Sequence, residues 1–520
     1  MMIKIYLRKF LRPVIIVTWV FVANASLAGS NSLEQAMYFK SQVHDAEQCS
    51  MFVREGKVVF NDAITNPAIT CPDAFAWKKL LETIKDEFWV NWAYDEFTYP
   101  SKPYAICSLT DSDESCCDPY KNNNPGYDIN DSPAEHCPYF PGDHLSKTSK
   151  KHNLIRAKSP FKQHFSHTQT GHNTLISKVD PGRAIRQEMA EVVFRNKAMW
   201  SYNFINNLYN KDGLGDVYKN LKFDIKTNAP YHRAKERVSF PTDSIMFKTD
   251  WLHEDEAKAL GLTQDKEHPY ITMYMKSPTG DNNANNGDQV VFREGLHYLM
   301  AITAASKDLP NWHWYAIEHV NNLGRCDYTG CNDSFGYHSQ DKVPEGYSKN
   351  YVVPKTINDG LVQSSPIFDT GKTYPAEKIS PELNEIFKKL MIGQEDSKNK
   401  NMPSVSDRAW LSYRLKGVQT EFISDEGVNT ILGNSVTEGG FVNTSSCITC
   451  HAQAVVDQSG SPAIGSIGFS DQMNLLGYPQ SSNGAPSASW YYQPGTTTPL
   501  NAKIDFVWGI LFANPLVEPE

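Results

Sequence analysis

The sequence predicts an α+β fold, in which helices and antiparallel strands form a main domain that follows a disulfide-rich N-terminal subdomain. Apolar residues recur at helical spacing in several segments. Other segments are rich in β-branched and aromatic residues, as is typical of strands. Six of the 10 cysteines lie between residues 49 and 137. We therefore place the Cys-rich subdomain at residues 29–150 and the main domain at residues 180–520.

The individual elements follow from the same two patterns. Helical spacing of apolar side chains predicts four helices, at residues 74–93, 185–207, 381–392 and 409–422. Composition typical of strands predicts four strands, at residues 244–252, 270–276, 289–304 and 502–512.

The N-terminus has the organisation of a secretory signal peptide. Four basic residues precede a mostly apolar stretch at residues 14–28, which ends with the small residues Ser26 and Ala28 at the positions that signal peptidase requires. An uncleaved anchor is the alternative, but this stretch is shorter than the roughly 20 residues that a membrane-spanning helix needs. We expect residues 1–28 to be removed and the mature protein to lie in the periplasm without a stable membrane anchor.

The charge of the chain excludes one class of partner. The formal net charge is -9, and it becomes -13 without the signal peptide, because that segment holds four basic residues and no acidic ones. No basic run remains that would indicate nucleic-acid binding.

One short motif near the C-terminus carries the chemistry. Cys447 and Cys450, followed by His451, form a Cys-x-x-Cys-His sequence, which is the attachment signature of a c-type haem. The two thiols add to the porphyrin as thioethers, and the imidazole then ligates the iron as the proximal ligand. A redox dithiol and half of a zinc site are the alternatives. The predicted export of the protein favours haem attachment over these two alternatives. We therefore predict one covalent haem c in a loop built into the main domain.

The remaining eight cysteines predict disulfides. Their number is even and the compartment is oxidising, so up to four bridges are expected. Cys326 and Cys331 are separated by four residues in a Gly-containing loop, and we predict that they pair. Pairing among the six cysteines of residues 49–137 is open, because six cysteines allow 15 connectivities.

Two histidines near the centre are candidates for the haem pocket. Residues 306–311 have the composition of a turn, and an antiparallel hairpin about residue 308 brings His297 opposite His319 on one face. His297 is then the possible distal ligand and His319 a hydrogen-bonding neighbour. The alternative is that each is a hydrogen-bonded core histidine. Met473 is the single downstream methionine and the other candidate for a sixth ligand, although an ordinary apolar role explains it as well. The four histidines within residues 152–172 are interpreted as solvated loop residues.

Several motifs occur in a fixed order along the main domain. They are residues 240–251, Gly295-Leu-His297, Trp312-x-Trp314, Glu318-His319-Val-Asn321, residues 413–419, Leu432-Gly-Asn434 and residues 445–451. This series resembles a family of exported bacterial mono-haem cytochrome c proteins, over roughly residues 180 to 520. The family usually has Thr-Phe where this chain has Ala316-Ile317, and the Cys-rich part is an elaboration. The resemblance implies the cofactor and the fold unit, but no substrate.

The sequence therefore predicts a periplasmic c-type cytochrome that transfers single electrons. Its partner would be a redox protein or a small-molecule reductant or oxidant. Two alternatives stay open. One is a haem enzyme, for example a peroxidase-like oxidoreductase, with an open sixth position and with His297, His319 or Glu318 moving protons. The other is a haem-based ligand-binding module.

Overall fold

A computed structural model describes most of the main domain and part of the N-terminal segment. It describes residues 49–94, 140–143, 185–227 (187 apart), 238–278, 292–322, 355–356, 366–367, 379–439, 445–463 and 483–511 (497 apart), and the positions 43, 45, 155, 157, 325, 333–335, 442, 513, 515 and 516. The predicted signal peptide, Met473, the pair Cys326 and Cys331, and the four histidines of residues 152–172 lie outside these residues.

The described residues form helices and antiparallel strands, which confirms the predicted mixture. The helices are α1 Pro67–Thr70, α2 Pro72–Lys85, α3 Phe88–Asn91, α4 Lys197–Ile205, α5 Lys211–Thr227, α6 Glu254–Ala259, α7 Pro381–Lys389 and α8 Cys447–Ala452. The strands are β1 Met51–Arg54, β2 Lys57–Phe60, β3 Ala93–Tyr94, β4 Ala190–Arg195, β5 Ile245–His253, β6 Thr272–Pro278, β7 Phe292–Ser306, β8 His313–His319, β9 Lys355–Thr356, β10 Pro366–Ile367, β11 Tyr413–Gln419, β12 Val455–Val456 and β13 Ala502–Lys503.

One seven-stranded sheet organises the molecule. Its order is β11-β8-β7-β5-β4-β3, and β6 pairs with the first half of β7. All of its pairings are antiparallel. The predicted strands at 244–252, 270–276 and 289–304 are confirmed as β5, β6 and β7. Side chains alternate between two sides of the strands, so the sheet presents two different faces.

The first face, here called the N-terminal face, packs against helices α2, α3 and α7. Phe194, Phe247, Leu299 and Tyr315 project from four neighbouring strands into one core with these helices. Trp77 of α2 is almost fully buried in that core. Residues 49–94 thus share their core with the sheet, to which they also contribute β3 as an edge strand.

The opposite face, here called the motif face, packs against helices α4, α5 and α8 and against residues 502–511. Met246, Ala305, Trp314 and Ala316 belong to this second core, together with Ile448 of α8. The two faces therefore differ in what covers them, because the motif face alone contacts the helix that carries the two motif cysteines.

The predicted N-terminal helix at residues 74–93 is partly correct. Helix α2 ends at Lys85, and Glu87 has left-handed backbone geometry, with φ 50°, before the short α3 and β3 follow. A disulfide joins Cys49 to Cys71, immediately before α2. This bridge belongs to the group of six cysteines whose connectivity the sequence left open.

The predicted helix at residues 185–207 is wrong over its central part. Ala190–Arg195 is strand β4, with Val192 and Phe194 on the N-terminal face and Val193 on the motif face. Alternating burial of this kind requires strand geometry. Helix α4 begins only after Asn196, whose side chain accepts a hydrogen bond from the Met199 amide and caps the helix.

The predicted helix at residues 409–422 is also wrong. A 3₁₀ turn at Arg408–Ser412 leads into strand β11, which pairs with β8. The pairing register shifts between Leu415 and Gly417, so a bulge interrupts the alternation of side chains. Apolar residues on one side of this irregular strand are consequently three residues apart, as in Leu415 and Val418, and they imitate helical spacing.

The predicted C-terminal strand at residues 502–512 is confirmed for two residues only. Strand β13 stops at Lys503, because Asp505 and Phe506 both have positive φ, of 39° and 68°. Left-handed backbone cannot continue a strand. Within the described residues, no helix is both long enough and apolar enough to cross a membrane.

Candidate functional site

Helix α8 presents the Cys-x-x-Cys-His motif on the motif face. Ser446 caps the helix by accepting a hydrogen bond from the Thr449 amide. The side chain of Gln419 in β11 holds this end in place, because its amide nitrogen donates to the Ser446 hydroxyl at 2.9 Å and its oxygen accepts from the Ile448 amide at 3.0 Å. The motif is thereby attached to the edge of the sheet. Cys447 and Cys450 lie one helical turn apart, and their thiols are not bonded to each other.

The ring of His451 is oriented by a main-chain acceptor. Its Nδ1 lies 2.7 Å from the carbonyl oxygen of Phe506, which requires that Nδ1 carry the proton and donate it. Nε2 is then unprotonated, and it has no hydrogen-bond partner among the described residues. This is the arrangement in which a histidine can ligate a metal through Nε2 while a second group fixes its tautomer.

The surroundings of His451 keep the imidazole neutral. Burial is the main reason that its pKa falls to about 3, and the charge of Lys248 acts in the same direction. The indole ring of Trp314 packs against the imidazole, with 4.4 Å between the ring centroids. A neutral imidazole with an unprotonated nitrogen is the form that binds iron.

Part of the motif and a neighbouring lysine reach the protein surface. Cys450 and His451 are only partly buried by area, and 21% of the Lys248 side chain is exposed, although burial dominates the pKa shifts of the first two groups.

Short side chains lie beside Lys248 on the motif face. Lys248 pairs across the strands with Thr303, and Thr303 pairs with Ala316. In the next row, Ala305 pairs with Trp314. Thr303, Ala305 and Ala316 are all buried, and the two alanines belong to the core of the motif face.

The thiols do not have the properties of a redox dithiol. Burial raises the pKa of Cys450 to about 12 and also raises the pKa of Cys447, and the charge of Glu438 adds to both shifts. Reactive Cys-x-x-Cys pairs have lowered thiol pKa values instead. The described residues also contain no group of three or more Cys, His, Asp or Glu side chains arranged for a metal ion. The free thiols and the oriented imidazole fit a covalently held porphyrin.

A half-buried charged cluster adjoins the motif, and sequence reasoning did not identify it. Its ammonium group is Lys248, which lies 3.3 Å from a carboxylate oxygen of Glu191. Burial alone would lower the pKa of Lys248, but the three carboxyl groups of the cluster raise it. They belong to Glu191, Asp250 and Glu438. Lys248 and Asp250 lie within residues 240–251, a motif that had indicated only a family resemblance.

The predicted hairpin exists, but its predicted register is wrong. Ser306 pairs with His313 and Ala301 pairs with Glu318, so the turn is centred between residues 309 and 310. His297 lies beyond the end of this pairing, and its cross-strand neighbours are His253 and Met273. The turn consists of residues 307–312, and Trp312 at its end has left-handed backbone geometry, with φ 64°. The two imidazoles therefore do not lie opposite each other.

The structure does not bring His297 or His319 to the motif. His319 follows Tyr315 and Ile317 in β8, which point to the N-terminal face, whereas Trp314 contacts His451 on the other face.

Both ring nitrogens of each histidine are also used. In His297 they lie 2.9 Å from the Gly295 carbonyl and the Ser277 hydroxyl. In His319 they lie 3.1 Å from the Pro269 carbonyl and the Asn321 amide. These contacts correspond to the core-histidine alternative.

Glu318 has a positioning role in the same region. Its carboxylate is fully buried and accepts hydrogen bonds from the amide and the hydroxyl of Ser435, at 2.8 and 2.7 Å. It therefore fixes the loop that precedes the motif.

Comparison with known proteins adds no match. Neither a family model, nor a curated protein, nor a solved structure is significantly similar to this chain.

Proposed function

We propose that the protein is an exported c-type cytochrome that holds one haem covalently and transfers single electrons. Cys447 and Cys450 would form the thioether bonds, and His451 would ligate the iron through Nε2. When bound, the haem supplies a one-electron redox centre. The observation that carries the proposal is the Cys-x-x-Cys-His motif with Nδ1 of His451 held by the Phe506 carbonyl, which leaves Nε2 for the metal.

The residues around the site define what the protein contributes. The Phe506 carbonyl orients the proximal imidazole, and a hydrogen bond at Nδ1 increases the basicity of a ligating histidine. Burial on the motif face limits the access of water to the thiols and to the ring. Gln419 and Ser446 hold the start of α8, so the distance between the cysteines and the sheet is set before the cofactor is attached.

The haem-enzyme alternative receives no support from the residues first considered for it. His297 and His319 project away from the motif, and Glu318 is committed to Ser435. Electron transfer needs none of these groups as acid or base, so it remains the proposed function.

Mass spectrometry and visible spectroscopy test the proposal directly. The full-length protein, produced in a bacterium that matures haem c, should gain the mass of one haem and show a c-type spectrum in both oxidation states. The double variant Cys447→Ser/Cys450→Ser should lose both signals. Cys49→Ser/Cys71→Ser is the matched control, because it removes two cysteines from the other side of the molecule and should keep the haem. An unmodified Cys447–Cys450 segment in the mature wild-type protein would refute the proposal.

A further inference from the structure

Asp250 is a fully buried carboxyl group on the motif face. It is in β5, two residues after Lys248, and it has no exposed surface. One carboxyl oxygen accepts a hydrogen bond from the Thr437 hydroxyl. The other oxygen, Oδ1, is buried and has no hydrogen-bond partner among the described residues. An ionised carboxylate with one unpaired buried oxygen is costly, and a proton on that oxygen removes the charge.

The charges around Asp250 do not balance. Lys248 supplies an ammonium group that faces it, and its nitrogen lies beside Glu191 of β4. Glu438 faces Asp250 from the loop that also carries Thr437. Three carboxyl groups thus lie near one ammonium group, and the guanidinium of Arg186 and the carboxyl group of Glu318 also act on Glu438.

Burial is the largest effect on Asp250 and raises its pKa well above the ordinary carboxyl value, although Lys248 opposes the shift. Burial also raises the pKa of Glu438, which lies near the guanidinium of Arg186. The cluster is therefore able to hold a proton near neutral pH.

The cluster lies within electrostatic range of the motif. The charges of Lys248 and Glu438 both act on the thiols of Cys447 and Cys450, and Lys248 also acts on His451. A redox centre held by these cysteines changes its charge by one unit when it gains or loses an electron. In a buried environment such a change is weakly screened, so nearby carboxyl groups must respond to it.

We propose that Asp250 is a redox-linked proton site, which binds one proton when the haem is reduced and releases it when the haem is oxidised. This inference rests on the proposed function. A one-electron donor loses one electron, the iron gains it, and the Asp250 carboxylate gains one proton from solvent. The added negative and positive charges cancel within the protein. Electron transfer by this protein is then coupled to proton uptake.

Potentiometric titration of the haem-loaded protein at several pH values tests the coupling. One proton per electron corresponds to a tenfold change in the equilibrium constant per pH unit, which is about 59 mV for a one-electron couple. The potential of the wild-type protein should fall with this slope as the pH rises through the titration range of Asp250. In Asp250→Asn the slope should become nearly flat, because the amide keeps the shape of the side chain and cannot bind the proton.

Asp333→Asn is a matched control for this experiment. Asp333 is also buried, and burial likewise raises its pKa to about 7. It accepts a hydrogen bond from the Trp77 indole and lies on the N-terminal side of the sheet. The potential of this variant should keep the wild-type dependence on pH.

The outcomes separate this inference from the proposed function. Absence of covalent haem overturns the proposed function and the inference with it. Covalent haem with a potential that does not vary with pH overturns the inference alone. An unchanged slope in Asp250→Asn also overturns it, because another group, such as a haem propionate, then carries the proton. If Asp250→Asn does not fold, infrared difference spectroscopy of the wild-type protein replaces it. A protonated-carboxyl band that appears on reduction supports the proposal, and its absence refutes it.

Discussion

The two faces of the sheet bury histidines in opposite ways. On the N-terminal face, His319 stacks on the ring of Tyr270 at 3.6 Å, and both of its nitrogens have protein partners. On the motif face, one nitrogen of His451 is held by the Phe506 carbonyl and the other has no partner among the described residues. Burial lowers the pKa of both imidazoles to about 3. Burial and pKa therefore do not distinguish a structural histidine from the proposed ligand, whereas the count of satisfied ring nitrogens does.

The largest difference between the faces should appear in the visible spectra of variants of His451 and His319. His451→Gly should abolish the wild-type haem spectrum, either as haem-free protein or as haem with an altered iron spin state, because the axial nitrogen is gone. Added imidazole should restore the spectrum where haem is attached. His319→Ala should leave the spectrum unchanged and lower the free energy of unfolding by about 2–4 kcal/mol, because it removes a buried ring and its hydrogen bonds.

His297→Ala tests the same expectation at a second histidine of the N-terminal face. It should resemble His319→Ala in both visible spectroscopy and urea denaturation, since both of its ring nitrogens are also bonded. A haem spectrum that changes in either variant, with His451→Gly unaffected, would reverse the roles assigned to the two faces.

The motif could be identified from sequence because its chemistry is local. Cys447, Cys450 and His451 are within five residues, and the peptide spacing alone brings the thiols onto adjacent positions of one helix. The charged cluster could not be identified, because Glu191, Lys248 and Glu438 come from segments far apart in the chain and meet only when β4, β5 and the 434–438 loop assemble.

Regular pairing did not decide which strands were predictable, because β4 pairs without a register shift but was predicted as a helix, whereas β7 contains a register shift and was located. The side chains of β5 alternate between the two faces of the sheet, and this strand was located within one residue at each end. The bulge in β11 and the left-handed Trp312 in the hairpin turn each displace the side-chain pattern, and neither has a signature in the residue types. A register error in such a hairpin changes which side chains meet, which is why His297 and His319 were misplaced.

A smaller change in the visible spectrum should follow from loosening the turn that orients His451. Asp505 accepts hydrogen bonds from the Lys307 ammonium at 2.6 Å and from the Phe240 amide at 2.8 Å, and it precedes the left-handed Phe506 whose carbonyl holds His451. Asp505→Ala leaves Lys307 as a buried unpaired charge, and such losses cost about 3–5 kcal/mol. The visible spectrum should also shift partially, because the imidazole loses its fixed orientation.

An exposed ion pair is the control for Asp505→Ala. Lys219 and Asp216 lie 2.8 Å apart, and more than half of each side chain is exposed. Asp216→Ala should change the free energy of unfolding by less than about 1 kcal/mol and leave the spectrum as it is. A destabilised Asp505→Ala protein with a wild-type spectrum would show that the turn stabilises the fold without orienting His451.

The smallest expected effect is on how steeply the free energy of unfolding depends on pH. It comes from His319 on the N-terminal face. Burial lowers the pKa of His319 from 6.5 to about 3, so the folded protein keeps this ring neutral while the unfolded chain binds a proton below pH 6.5. The stabilising contribution of the neutral ring is complete above pH 6.5 and is lost as the pH falls from 6.5 towards 3, by about 1.4 kcal/mol per pH unit.

Urea denaturation of the wild-type protein and of His319→Gln between pH 6.5 and about pH 4.5 measures this contribution. The glutamine can still donate to the Pro269 carbonyl but does not titrate, so its free energy of unfolding should fall less steeply with acid. Asp333→Asn should change the slope in the opposite sense. Its raised pKa, about 7, favours the folded state as the pH falls towards the ordinary carboxyl value of 3.8, so the variant should lose stability faster than the wild type on acidification. Parallel curves for the wild type and His319→Gln would mean that the ring gains its proton without unfolding, and the N-terminal face would then be less tightly closed than its hydrogen bonds indicate.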